Sequence, residues 1–139
     1  QKAIELVGLT DFINNLPDKL ATQVGEDGTV FSGGQRQRLG LARAIYGNPR
    51  FVVLDEPNAN LDVEGNHALY KLLQHLKDAG TTVVVVTHKK DILKYSDRIL
   101  VMKGGKPKIY GPRDQVLDKL AGKEVKTITA EQASKLTSK

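Results

Sequence analysis

Two carboxylates and an imidazole follow two runs of strand-forming residues. Asp55 and Glu56 come directly after the apolar run Phe51–Leu54, and His88 comes directly after the β-branched run Thr82–Thr87. An Asp at the end of a buried strand is the usual position for holding Mg²⁺ on a nucleotide, and a second carboxylate beside it can polarise the water that attacks a γ-phosphate. The three side chains therefore predict phosphoryl-transfer chemistry if the two strands end at one edge of a sheet. The alternative is that Asp55 and Glu56 only cap the segment that follows.

A second candidate site lies upstream, in the sequence from Phe31 to Gln35. Gly33 and Gly34 have no Cβ, so an anion can approach the backbone closely, and the Ser32 hydroxyl adds a hydrogen-bond donor. A helix that begins here presents unpaired backbone N–H groups and the positive end of its dipole. The segment therefore predicts a phosphate site, although a Ser-Gly-Gly sequence alone is also typical of a turn and a helix N-cap.

The pattern of the central region predicts an α/β fold. The run 51–54 is apolar and the run 82–87 is β-branched throughout, and neither alternates, which is typical of strands buried on both faces. Between them, Asp62–Ala79 is predicted to form a helix, whose apolar stripe is Leu69, Leu72, Leu73 and Leu76. Strands joined by a helix run parallel with a right-handed crossover, so both strands are expected to end at the edge where α/β sheets bind ligands.

The flanking segments predict shorter elements. Gly8 is expected to end a first helix, Asp11 to cap a second one, and Pro17 to break it. Arg98–Met102 is predicted to be a third buried strand, which gives the order β-α-β-α-β. The remaining expectations are a helix over 33–46 capped by Ser32, a hairpin strand over 106–110, a helix from Gly111 to Leu120, and a last helix capped by Thr129.

Composition excludes several classes of protein. The sequence contains no cysteine, which excludes disulfide bonds and thiolate metal sites. It contains three scattered histidines, of which His67 and His75 are interpreted as surface or packing residues. No apolar run approaches the length of a membrane-spanning helix. Residues 103–139 contain nine Lys and Arg against four Asp and Glu, which accounts for the whole formal charge of +5. Tyr110 is the only aromatic residue there, so no nucleic-acid partner is expected and a solvated surface or a contact with anionic lipid is favoured.

Taken together, four segments in this order resemble the nucleotide-binding domain of ABC transporters. Residues 31–38 resemble the signature motif, 51–56 the Walker B strand, 58–62 the D-loop, and His88 the switch histidine. The resemblance extends from about Ala3 to Leu120. It implies the parallel-sheet core of a P-loop NTPase of the ABC ATPase type, with part of the helical signature subdomain. The implied division is a helical subdomain over 1–50, part of the catalytic core over 51–120, and a polar basic tail over 121–139.

The resemblance also implies roles for individual residues and for ATP and Mg²⁺. Two such domains pack head to tail as a homodimer, so that the signature of one closes on the ATP held by the other. Asp55 is then expected to hold Mg²⁺, Glu56 to act as general base, and His88 to contact the γ-phosphate and the attacking water. Asp62 is expected to carry signals across the interface, a role compatible with capping a helix. The residues expected to contact the γ-phosphate and ribose in trans are Ser32, Gly33, Gly34 and Gln35.

Local details resemble exporters of type I protein secretion systems. Asn58 and Asn60 in the D-loop and the segment 111–114 are similar to that group, whereas Ala59 replaces the usual Ser. Residues 22–26 resemble the exporter loop that contacts the membrane domain, with Gln23 where Glu is common. The resemblance implies transmembrane and secretion-system partners and a location at the cytoplasmic face of the bacterial inner membrane.

One expected motif is absent from these 139 residues. The phosphate-loop motif G-x-x-x-x-G-K-[ST] does not occur. The only Gly-Gly-Lys sequence is followed by Pro107, where the motif requires Ser or Thr. The chain is therefore expected to be the C-terminal part of a nucleotide-binding domain and to be inactive alone. Two alternatives remain: a cytosolic ABC-type ATPase acting on nucleic acid or ribosomes, and a non-catalytic regulatory module.

Overall fold

The computed structural model describes residues 1–23 and 31–122. The chain divides into two compact units, Gln1–Lys89 and Lys90–Lys139. The division expected from the family resemblance, at residues 50 and 120, stays a prediction, and the helix expected at Thr129 lies outside the described residues. The first unit contains α1 (Lys2–Leu6), α2 (Thr10–Asn14), α3 (Gly33–Ala44), β1 (Phe51–Asp55), α4 (Val63–Asp78) and β2 (Thr82–Val86), and the second contains β3 (Arg98–Lys103), β4 (Lys106–Pro112) and α5 (Arg113–Leu120).

The short helices α1 and α2 meet at Gly8. Its φ of +68° is accessible to glycine and ends α1 one residue after the cap Val7, as predicted. The expectation that Asp11 caps α2 is wrong, because the helix begins at Thr10 with Leu9 in the cap position. Asp11 lies in the first turn instead, where its negative charge is favoured by the helix dipole.

Side-chain caps determine where the two longer helices begin. The Ser32 hydroxyl accepts a hydrogen bond from the Gln35 backbone N–H, and the Gln35 side chain accepts one from the Ser32 N–H, which is a complete capping box for α3. Asp62 accepts from the backbone N–H of Gly65 at 2.7 Å and caps α4. The predicted stripe of four leucines on α4 is buried, and α4 contacts β2 and α1.

Strands β1 and β2 pair in parallel, as the crossover rule predicts. The α/β class is therefore confirmed. The expectation that both strands are buried on both faces is wrong. Val52 and Leu54 are 4% and 5% exposed on one face of the pair, whereas Phe51 and Val53 on the other are 58% and 57% exposed. Within the described residues, helices cover only the face that bears Val52 and Leu54. An uninterrupted apolar run indicates that both faces are to be covered, but it does not indicate which segment covers each of them.

The second unit has its own small core around an antiparallel hairpin. β3 pairs with β4, as the hairpin prediction requires, with an irregularity between Val101 and Met102. The expected third strand thus belongs to a separate two-stranded sheet. Its position follows from the short connection through Gly104 and Gly105, which favours an antiparallel return over a parallel crossover. Ile92, Ile99 and Val116 are buried in this unit.

Candidate functional site

Glu56 and His88 meet at the carboxyl ends of β1 and β2. The backbone N–H of Glu56 donates to the Val86 carbonyl at 2.8 Å, which brings the end of β1 alongside the end of β2. The Oε1 atom of Glu56 lies 2.8 Å from Nδ1 of His88 and accepts from the His88 backbone N–H at 3.1 Å. Two residues separated widely along the chain therefore form one pair through the parallel register.

The electrostatics of this pair favour an ionised Glu56. The hydrogen bond from the His88 side chain lowers the pKa of Glu56, partial burial opposes this, and the charge and backbone N–H of His88 and the Thr87 hydroxyl lower the pKa further. An ionised carboxylate can only accept, so Nδ1 of His88 carries the hydrogen in this pair. The side chains of His88 and Glu56 are 80% and 34% exposed, so water reaches both.

Asp55 is the last residue of β1 and lies opposite Val86 in the sheet register. Asp55 is exposed. It helps to line a shallow pocket of about 200 Å³ between α3 and β1, together with Arg36, Gln37 and Pro57. Within residues 1–23 and 31–122, no group of three or more His, Cys, Asp and Glu residues could hold a metal ion. Asp55 alone therefore offers the oxygen atoms of one carboxylate and not a complete metal cage.

The first turn of α3 is formed by Ser32, Gly33, Gly34 and Gln35. The capping box uses the N–H groups of Ser32 and Gln35, which leaves the N–H groups of Gly33 and Gly34 as helix-terminal donors. Both glycines lie against the loop before α4: a Cβ on Gly33 would be 3.7 Å from Cβ of Asn60, and one on Gly34 would be 3.0 Å from the Asn60 carbonyl oxygen. The packing is therefore tight at Gly34, where the neighbouring atom is backbone, and ordinary at Gly33.

Helix α3 is also tied directly to the strand end that bears Glu56. Nε2 of Gln37 donates to the Glu56 backbone carbonyl at 3.3 Å. At the start of the helix, Arg36 donates to the Phe31 carbonyl at 2.8 Å, and the buried Phe31 ring packs edge-on against Phe12 at 5.4 Å. These contacts fix the position of the Ser32–Gln35 turn relative to β1.

Two further residues near Glu56, Thr87 and Lys89, were not expected from the sequence. Thr87 places its hydroxyl 3.3 Å from Oε2 of Glu56 and 3.4 Å from Oδ1 of Asn58. Lys89 donates from Nζ to the Asn58 carbonyl at 3.0 Å. The sequence did place Thr87 and Lys89 on either side of His88 at the end of a predicted strand, which is the one feature that could have pointed to them. Their contacts depend on the sheet register and cannot be read from that order alone.

The other predicted residues have simpler surroundings. Asp62 caps α4, the alternative role given for it from the sequence. His67 is exposed and His75 is half-buried, both within α4. Of the loop expected to contact a membrane domain, Thr22 and Gln23 are described, and residues 24–26 lie outside the described residues. Among the helices that the structure describes, none has the length and apolar character needed to cross a bilayer.

Comparisons with known proteins show similarity to ABC transporters in both sequence and structure. Residues 1–59 match the sequence profile of the ABC transporter family. In the structural comparison, 99% of the chain superimposes on a bacterial Atm1-family ABC exporter solved with ATP bound, with a TM-score of 0.74 and 26% identity. The chain therefore resembles the ABC transporter family in sequence over residues 1–59 and an ABC exporter in fold over most of its length.

Two curated relatives resemble the chain more closely in sequence. It is 44% identical over 115 residues, or 83% of its length, to the type I secretion system ATP-binding protein PrsD of Rhizobium meliloti. It is 39% identical over 115 residues to the cyclolysin secretion/processing ATP-binding protein CyaB of Bordetella pertussis. The chain spans only 20% and 16% of the length of these relatives and 23% of the exporter chain.

Proposed function

We propose that this chain is the signature-bearing part of the ATP-binding and hydrolysing domain of an ABC exporter that serves type I protein secretion. The observation that carries the proposal is the Glu56–His88 pair at 2.8 Å, located at the strand ends next to Asp55. The pair supplies a base and a partner that orients it, which is what attack of water on a γ-phosphate requires. Similarity to PrsD and CyaB supports the secretion role.

The chemistry of the residues present fits Mg²⁺ and ATP. Mg²⁺ is commonly held by one or two carboxylates together with substrate phosphates and water, so the single carboxylate of Asp55 is sufficient on the protein side. When bound, Mg²⁺ neutralises charge on the phosphate oxygens. The turn Ser32–Gln35 offers the N–H groups of Gly33 and Gly34 to a γ-phosphate.

Glu56 acts as the general base in this proposal. Its Oε1 atom is engaged by His88, so Oε2 is the oxygen that takes the proton from the attacking water. Because Nδ1 of His88 donates to Glu56, the Nε2 atom remains for the γ-phosphate or the water. The Asp62 side chain, which caps α4, lies at the end of the D-loop segment and would transmit changes across the dimer interface.

The Ser32–Gln35 turn would complete the nucleotide site of a second copy in a head-to-tail homodimer. Residues 22–26 would contact the transmembrane part of the exporter, at the cytoplasmic face of the bacterial inner membrane. Since these 139 residues contain no phosphate loop, the chain alone would neither bind MgATP at micromolar concentration nor hydrolyse it. A calorimetric titration that detects micromolar MgATP binding by the isolated chain contradicts the proposal that the chain supplies only part of a nucleotide site.

The decisive experiment replaces Glu56 by Gln in the full-length transporter. The substitution keeps the shape and removes the negative charge, so MgATP binding should persist while hydrolysis falls by roughly 10² to 10⁴-fold. His67→Gln is the control, because His67 is exposed on α4 and should leave the rate unchanged. Hydrolysis at the unmodified rate by Glu56→Gln rules out the assigned role.

A second experiment separates the exporter from the cytosolic alternative. Deleting the gene should remove one or more proteins from the culture medium, and the tagged protein should fractionate with the inner membrane. Recovery with ribosomes, or an unchanged set of secreted proteins, favours the cytosolic ATPase.

A further inference from the structure

Glu56 has a backbone conformation that needs support. Its φ of +43° lies in the left-handed region, where a residue with a Cβ carries a conformational cost. Residues persist in such conformations only where surrounding contacts hold them, and they occur often at functional sites. The contacts that hold Glu56 come from Gln37 on α3 and from Thr87 and His88 after β2.

The Thr87 hydroxyl lies between two acceptors. It is 3.3 Å from Oε2 of Glu56 and 3.4 Å from Oδ1 of Asn58, and it accepts from the Lys89 backbone N–H at 3.1 Å. A hydroxyl has one proton to donate. The ionised carboxylate is the stronger acceptor, because charge strengthens a hydrogen bond. Thr87 therefore restrains the oxygen of Glu56 that His88 leaves unrestrained.

Lys89 fixes the loop on the other side of Glu56. Its ammonium donates to the Asn58 carbonyl at 3.0 Å. Asn58 is 0% exposed, and its Nδ2 atom has no hydrogen-bond partner among the described residues. The Ala59 backbone N–H donates to the Glu56 carbonyl at 3.0 Å and closes the turn, and the ammonium of Lys89 adds a charged side-chain donor to the Asn58 carbonyl.

We propose that Thr87 and Lys89 are positioning residues for the Glu56 carboxylate, Thr87 by restraining Oε2 and Lys89 by fixing the loop at Asn58. This inference rests on the proposed function, since it assigns a role around the same base. Neither Thr87 nor Lys89 is assigned a contact with the substrate. Thr87 and Lys89 act through the orientation of Glu56, so their loss slows the chemical step and leaves nucleotide affinity in place.

The first test is Thr87→Val in the full-length transporter, which removes the hydroxyl at nearly constant volume. We expect kcat for ATP hydrolysis to fall about tenfold, as for loss of a hydrogen bond to a charged group, with KM changed less than twofold. Thr87→Ser should restore most of the rate. Thr82→Val, at the exposed start of the same strand, is the matched control.

The effect of Thr87→Val in the absence of the base distinguishes positioning from a structural effect. A positioning residue can act only while the Glu56 carboxylate is present, whereas a structural defect lowers the rate in any background. In a Glu56→Gln background, Thr87→Val should cause no further loss of residual hydrolysis.

Lys89→Met supplies an independent variant that keeps most of the apolar stem. We expect its kcat to fall several-fold, with Lys90→Met as the neighbouring control. The double variant Thr87→Val, Lys89→Met should lose less than the product of the single losses, because both act on the position of one side chain. If Thr87→Val does not melt cooperatively, Thr87→Ala and Lys89→Met decide the question.

The outcomes separate this inference from the function on which it rests. If the wild-type transporter does not hydrolyse ATP, or Glu56→Gln leaves the rate unchanged, the proposed function fails. If Glu56→Gln is inactive but Thr87→Val and Lys89→Met keep the wild-type kcat and KM, only the positioning roles are wrong.

Discussion

A Cβ atom added to Gly34 would lie 3.0 Å from the backbone carbonyl oxygen of Asn60. The first turn of α3 therefore packs directly on the loop between β1 and α4, with backbone against backbone. Asn60 has a φ of +57°, which asparagine tolerates better than most residues, and this conformation presents its carbonyl to the helix. The glycine thus serves close packing within one chain in addition to any contact with an anion.

We predict opposite effects for alanine at two glycines of α3. Gly34→Ala should destabilise the chain by about 1 to 3 kcal/mol, because the neighbouring atom is backbone and cannot move aside cheaply. Gly40→Ala has no atom within 4 Å of the new Cβ, so it should stabilise the helix by about 0.5 to 1 kcal/mol. Urea denaturation of both variants measures the difference. Equal effects at the two positions contradict the close contact with Asn60.

The sequence predicts the local elements better than it predicts their surroundings. Gly8, the cap at Ser32 and the leucine stripe of α4 are local signals, and all three are found where expected. The exposed face of β1 was predicted wrongly, because apolarity specifies that a surface is to be covered and says nothing about the element that covers it. The pairing of β3 with β4 in its own sheet likewise depends on tertiary contacts.

The candidate site divides in the same way. The meeting of Glu56 with His88 follows from the crossover rule applied to two strand ends. The contacts of Thr87, Lys89 and Gln37 depend on side-chain direction and register, which a pattern of residue types does not contain. The left-handed backbone of Glu56 is equally unexpected for that residue type.

We predict that His88→Ala raises the pKa of Glu56. The His88 side-chain hydrogen bond is the largest cause that lowers this pKa, so its loss should move the value back toward that of an ordinary carboxyl group. The stability contributed by ionised Glu56 is present above the ordinary pKa and is lost as pH falls through the lowered one. An NMR titration of the Glu56 side-chain carbon measures the change. The control His67→Ala should leave this titration unaltered, and an unchanged midpoint in His88→Ala contradicts the pairing.

We predict that the exposed face of the β1–β2 pair makes the isolated chain associate. Phe51, Val53, Val84 and Val86 are 58%, 57%, 43% and 53% exposed and share this face. A contiguous apolar patch of this kind favours self-association. Val53→Thr combined with Val84→Thr should shift sedimentation toward monomer with little change in side-chain volume.

Val63→Thr is the matched control for this face, because Val63 is 88% exposed but begins α4. It should leave association unchanged. A wild-type chain that sediments as a monomer at micromolar to millimolar concentration argues against an adhesive sheet face.

The last prediction separates the base from the signature turn in the complete nucleotide-binding domain. Glu56→Gln should bind MgATP and accumulate as the closed dimer, because slowing hydrolysis by roughly 10² to 10⁴-fold makes closure faster than turnover. Ser32→Arg places a long side chain where a phosphate held by the second copy must approach, so the dimer should not close although each copy keeps its own nucleotide. Size-exclusion chromatography of the nucleotide-binding domains with MgATP should show a dimer for Glu56→Gln and a monomer for Ser32→Arg.

Ser32→Ala distinguishes obstruction from loss of the cap. It removes the hydroxyl that accepts from the Gln35 N–H at 3.2 Å, which should cost about 1 kcal/mol of stability, yet it leaves the approach to Gly33 and Gly34 open. We therefore expect Ser32→Ala combined with Glu56→Gln to melt at a lower temperature and still dimerise. Dimerisation by Ser32→Arg combined with Glu56→Gln would show that the turn does not lie against the second nucleotide. A monomeric Ser32→Ala, Glu56→Gln variant would show that the capping box itself, and not the open glycine backbone, is what the closed dimer requires.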